Sequence, residues 1–176
     1  MLNPIEVILI CMVAQAAVTD LALRKIPNVL VLSGLLLALM LHLLGGLHWA
    51  PLTQWLAGSL AGLFLFLPLY LLRGMAAGDV KLMAMVGSFV GPLMALKVAV
   101  LATLIGGLMG LLMLLFNGRW CDGWRNVVTI CKPLLLRSLG MPLQAVPLAP
   151  DASVGGIPYG LAIALATIAM VALAHR

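Results

Sequence analysis

LMALKVAVLATLIGGLMGLLMLLF, residues 93–116, runs for 24 residues with one charged side chain, Lys97. At about 1.5 Å of rise per residue, a helix of that length reaches about 36 Å, enough to cross the roughly 30 Å hydrocarbon core of a bilayer. Backbone N–H and C=O groups at that depth find no water, so they must pair within the segment, as a helix allows. Nothing shows the alternation of a transmembrane barrel strand. Five more apolar stretches lie outward from this one: about 4–19, 29–47, 55–72, a shorter one from Asp79 to Gly91-Pro92, and 156–174. The fold read from them is all-α: a polytopic membrane bundle of about six transmembrane helices forming a single domain over residues 1–176. The short fourth stretch must be assisted by its neighbours, tilt little, or begin below the membrane surface.

Composition points the same way. The chain is 64% hydrophobic and 9% charged, with a mean hydropathy of +1.21; soluble domains carry about 25% charged residues. The net charge of +5 is spread along the chain without interleaved aromatics, so no nucleic-acid-binding stripe forms. Cys11, Cys121 and Cys131 give neither a CxxC pair nor a Cys/His cluster at metal spacing, so no metal, cofactor or disulfide is expected. Cys11 reads as a small apolar filler. The opening MLNPIEVILICMVAQAAVTD has no basic leader region and carries Glu6, which reads as a first span, not a signal peptide.

The connections sort by charge. DLALRKIPN (20–28) carries Arg24 and Lys25, RGMAAGDVK (73–81) carries Arg73 and Lys81, and 117–153 carries Arg119, Arg125, Lys132 and Arg137. GGLHWAPLTQ (45–54) has no Lys or Arg, and the Gly91-Pro92 turn is followed only by Lys97. Basic loops stay cytoplasmic, so both termini are expected on the non-cytoplasmic side of the membrane. Within 117–153, residues 124–139 alternate basic and apolar residues, which suits an interfacial helix. His42, His48 and His175 fall on the opposite side or outside and read as interfacial. The small residues of AGSLAG (57–62) and GGLMG (106–110) allow close helix approach, for plain packing or for a substrate groove.

Of the five acidic residues, Asp20 and Asp79 fall at span–loop junctions on the same membrane side, 59 residues apart in sequence. Two carboxylates at close range cannot both ionise easily and share a proton. An ionised member takes a proton from water and a protonated one polarises a carbonyl, which is the chemistry of peptide hydrolysis without a covalent intermediate. Simpler roles exist. Asp20 and Arg24 stand at i,i+4 as an ordinary ion pair would, Asp79 suits a helix cap, and Lys81 and Arg24 suit orientation alone.

D-x-x-x-R-K-I-P-N after the first span, G-D-x-K later and GGIPYGLAIALA (155–166) in the last span together resemble the prepilin peptidases, the GxGD-type membrane aspartic proteases. The likeness is to the short, peptidase-only form serving tight-adherence (Flp) pili. It implies that Asp20 and Asp79 are the catalytic pair. It gives Gly78, Lys81, Arg24, Lys25, Pro27, Asn28 and Tyr159 places around them; a helix start explains Pro158 equally well. The first glycine of GxGD is Ala76 here. Alanine reaches φ > 0 less freely, so the approach to Asp79 is expected to be more helical, or the loop set by Gly74. Longer family members add a methyltransferase region with paired CxxC motifs, which this sequence lacks, so the resemblance implies cleavage without N-methylation. It implies as substrate a prepilin-like precursor, cut after the glycine preceding its hydrophobic helix at the cytoplasmic face, and as surroundings membrane lipid and the pilus assembly machinery. Two readings of other classes stand beside it: a proton-coupled membrane carrier using Asp79 and Lys81, and a catalytically inactive pilus-assembly membrane protein.

Overall fold

The computed structural model describes residues 3–44, 49–72, 74–116 and 158–175, and the regular structure among them is all helical. Six helices follow one another: α1 Pro4–Leu23, α2 Asn28–Leu44, α3 Trp49–Leu71, α4 Ala77–Val90, α5 Pro92–Phe116 and α6 Tyr159–Ala174. The expected interfacial helix at 124–139, the rest of the connection 117–153, and Arg73, His48, Cys121 and Cys131 lie outside the described residues. The chain divides into two compact units. One holds residues 1–107 and 158–176 and is the subject below; of the other, 108–157, the described part is the end of α5.

The helices are dressed for lipid. Along α2, Val29, Leu32, Leu36 and Met40 form an exposed apolar face at helical spacing, while Leu30, Val31, Gly34 and Ala38 are buried on the other side. Exposed Leu56, Leu60 and Phe64 make the same kind of face on α3. Helices α1, α3 and α5 are long and apolar enough to cross a membrane; α2 and α6 are shorter apolar helices. Cys11 points outward from α1 and fills no interior gap.

The exception is α4, in which Asp79, Val80 and every residue from Leu82 to Phe89 are buried. Helices α1, α2, α3 and α6 pack around it. A helix buried on all sides is solvated by protein, not lipid. This is how a 14-residue helix is accommodated: its neighbours supply the apolar surroundings. On the α3 side the fit depends on glycine. A Cβ at Gly58 would run into the Gly87 carbonyl, one at Gly87 into the Gly58 carbonyl, and one at Gly62 into the Met83 carbonyl. Gly58 and Gly62, four apart, therefore bring two backbones into direct contact.

The helix ends position the loops that matter. Helix α1 runs four residues past the expected Thr19, because DLAL continues it and Arg24 ends it in a left-handed conformation (φ 50°, ψ 34°), its N–H bonding the Asp20 carbonyl at 2.8 Å. Asp20 thus lies inside the last turn of α1, not beyond it. The Pro27 carbonyl receives the Leu30 N–H at 3.1 Å and opens α2. At the far end of α4, Gly91 alone makes the joint to α5 at φ 78°, where a side chain would be strained, and Pro92 starts the next helix.

Candidate active site

Asp20 and Asp79 are buried, 7% and 4% exposed, in a bundle interior that is otherwise mostly apolar. Each is held by a helix N-terminus. Asp79 is the third residue of α4, and its Oδ2 folds back to accept the Ala76 N–H at 3.2 Å, while its own N–H donates to the Ala76 carbonyl at 3.1 Å. This satisfies one of the N–H groups that a helix start leaves without a helical partner, and places negative charge where the helix dipole favours it. Asp20 reaches across the bundle. Its Oδ2 accepts the N–H of Gly160, in the first turn of α6, at 2.8 Å, and the Leu161 N–H is also directed to it. Asp20 therefore caps α6, a contact between residues 140 apart. The two carboxylates are near enough for their charges to repel.

The other expected residues gather at the same place with different jobs. Lys81 Nζ donates to Asn28 Oδ1 at 3.0 Å, tying the first turn of α4 to the start of α2. Gly78 lies in the same turn, where a Cβ would meet Ile26 at ordinary contact distance, 3.4 Å; the two motif segments pack directly through this pair. Arg24 and Lys25 are exposed. Among the described residues neither aspartate has a cation within ion-pair distance, so the expected i,i+4 pair of Asp20 with Arg24 is not formed, although the Arg24 charge still acts on Asp20. Pro27 serves through its carbonyl. Tyr159 is half-buried, its ring filling the space that Gly106 leaves open on α5, and the charge of Asp79 reaches it.

Ala76 is extended, φ −81° and ψ 154°, a conformation any residue adopts. The approach to Asp79 is thus not more helical than expected for glycine, and glycine is not required at that position. Gly74 ends α3, its N–H bonding the Leu69 carbonyl at 2.8 Å. Two contributors escaped the sequence reading. Ile26 lies within R-K-I-P-N and Gly160 within GGIPYGLAIALA, but neither motif says which of its residues packs against an aspartate segment.

The remaining polar groups lie elsewhere. His175 Nε2 pairs with Glu6 Oε2 at 2.6 Å, and Asn3 N–H donates to the same oxygen at 2.8 Å. Glu6 is 14 residues from Asp20 on one helix, about 21 Å along its axis. His42 bonds its own helix at the Ala38 carbonyl, 2.8 Å away. Among the described residues no three His, Cys, Asp or Glu side chains are grouped as metal ligands.

Lipid-facing helices around a buried helix, with two opposed carboxylates at one of its ends, define a helical membrane protein with an acid pair. The family model described as the type IV leader peptidase family matches residues 7–113, a stretch that includes both aspartates and stops before α6. The chain belongs to the type IV leader peptidase family, and is by that membership a membrane peptidase acting on prepilin-like substrates. No curated protein and no solved structure matches it.

Proposed function

We propose that this peptidase is an aspartic endopeptidase that uses Asp20 and Asp79 to remove the leader from Flp-type prepilin-like precursors at the cytoplasmic face of a bacterial inner membrane. The observation that carries the reading is the convergence of two buried, mutually repelling carboxylates from α1 and α4. In the reaction, one carboxylate, ionised, takes a proton from water as the water oxygen attacks the scissile carbonyl carbon. The other, protonated, donates a hydrogen bond to the carbonyl oxygen. The tetrahedral intermediate collapses as the amide nitrogen accepts a proton and the C–N bond breaks, leaving a carboxylic acid and an amine. The pair titrates as a unit, so either aspartate can be written as the base.

The cytoplasmic assignment is supported by exposed Arg24, Lys25 and Lys81 at the aspartate end of the bundle. The precursor's hydrophobic helix then lies in lipid against the bundle, its leader remains in water, and the scissile bond falls at the interface. Delivery of the cleaved subunit to pilus assembly machinery follows from that substrate.

Purified protein is to be given a peptide comprising a leader, a glycine and the start of a hydrophobic helix. Asp20→Asn and Asp79→Asn should each abolish cleavage while membrane insertion and melting behaviour persist. Normal cleavage by either variant would overturn the assignment.

A further inference from the structure

We infer that Gly160 is a positioning residue for this reaction: its N–H fixes Oδ2 of Asp20, and its missing side chain provides the space in which that carboxylate stands. The inference rests on the aspartic reading above. It starts from a mismatch between residue and place. Gly160 sits in the first turn of α6 without a positive φ, so its backbone conformation does not call for glycine. Alanine is the best helix former and glycine nearly the worst. Something other than local conformation must therefore favour glycine, and the neighbours identify it. A Cβ built on Gly160 would meet three atoms of one side chain: Asp20 Oδ2 at 2.8 Å, Asp20 Cβ at 3.0 Å and Asp20 Cγ at 3.0 Å. The same glycine's N–H is 2.8 Å from Oδ2. Space and hydrogen bond belong to the same contact.

The consequence is rotational. A carboxylate on a helix turns about its side-chain torsions unless an oxygen is engaged. Gly160 engages one oxygen of Asp20, and Ala76 engages one oxygen of Asp79. Both anchors are backbone N–H groups at helix starts, which hold their direction better than side-chain donors do. Anchoring of this kind sets reacting groups in place before substrate arrives.

The test is Gly160→Ala in the full-length purified protein, assayed on the same leader peptide. Misplacement of a reacting group by about 1 Å costs about 10²-fold, so kcat should fall by about that factor while KM stays put, because Gly160 lies behind Asp20. Gly107→Ala, at a helical glycine with nothing within 4 Å of its would-be Cβ, should leave kcat unchanged. Melting provides the second readout. Gly160→Ala should lower the melting temperature of the otherwise natural protein by more than that of Asp20→Ala, which removes the obstructing Cγ and Oδ2 and leaves only the Cβ contact at 3.0 Å. If Gly160→Ala alone does not fold, the double variant Asp20→Ala/Gly160→Ala should still fold, because the obstructing carboxyl group is gone. Unchanged kcat in Gly160→Ala, an equal loss in Gly107→Ala, or an equal melting loss in both backgrounds would each overturn the inference. A fully active Asp20→Asn would instead remove the aspartic reading beneath it; an inactive Asp20→Asn beside a fully active Gly160→Ala would remove only the role of Gly160.

Discussion

Replacing Gly62 by alanine tests how tightly the acid pair depends on the backbone contact between α3 and α4. A Cβ at residue 62 would stand 2.8 Å from the Met83 carbonyl carbon and 3.1 Å from Ala84 Cα, where ordinary contact begins at 3.4 Å. The obstructing atoms are backbone, so no rotamer change relieves them. Helix α4 has to retreat from α3 by more than about 0.6 Å, the deficit at the carbonyl carbon, because the carbonyl oxygen stands closer still. Met83 is one turn beyond Asp79 on the same helix, so the aspartate moves with it. With about 10²-fold lost per 1 Å of misplacement, kcat should fall roughly 10- to 100-fold. Overpacking of this kind also costs about 1–3 kcal/mol of stability. The assay is steady-state cleavage of the leader peptide in detergent micelles, with a thermal melt on the same sample. A Gly62→Ala protein with natural kcat and natural melting would refute the reasoning, because it would mean that the two backbones separate without cost and without moving Asp79.

Two further outcomes follow from the loops. Ala76→Gly, which restores the glycine of the GxGD pattern, should not raise kcat, because residue 76 is already extended at φ −81°; the added freedom of the unfolded chain should lower stability by about 0.4–1 kcal/mol, read from denaturant or thermal melting. Lys81→Met and Asn28→Ala each break the 3.0 Å bond between α4 and α2 and should cost about 0.5–1.5 kcal/mol in melting. The double variant should cost little more than either single change, and full additivity in the melting cycle would show that the two side chains act independently.

The six helices were legible because lipid imposes a simple rule on sequence. Long apolar runs must be helical, and each observed helix starts and stops within a few residues of the run that announced it, apart from α3, which begins earlier, at Trp49. Asp79 at a helix start was legible from its position after two alanines and a glycine. The link between Lys81 and Asn28 joins two motifs that sequence had already placed at one membrane face. Sequence left three options for the short fourth helix and could not show that it is the one wrapped by the others. Apolarity does not distinguish a lipid-facing side chain from a buried one, so Leu82 and Leu36 look alike in sequence although one is buried and the other exposed. For the same reason Cys11, read as a small apolar filler, gave no sign that it faces out. The Gly160 contact was hidden for a different reason. A backbone N–H is common to every residue but proline, so a hydrogen bond from one leaves no mark on residue type.

The single-residue joint at Gly91 makes α4 a lever with Asp79 at its tip. Asp79 is twelve residue steps from the joint, an arm of about 18 Å, so a tilt of about 5° about Gly91 sweeps Asp79 through about 1.6 Å. The glycine contacts on α3 meet this arm at Gly87, close to the pivot, and at Met83, about two thirds of the way to the tip. A brace at that radius resists rotation far better than the joint itself could. Slack there would be magnified at the carboxylate, so alignment of the acid pair depends on one missing methyl group a helical turn away as well as on the residues that touch it.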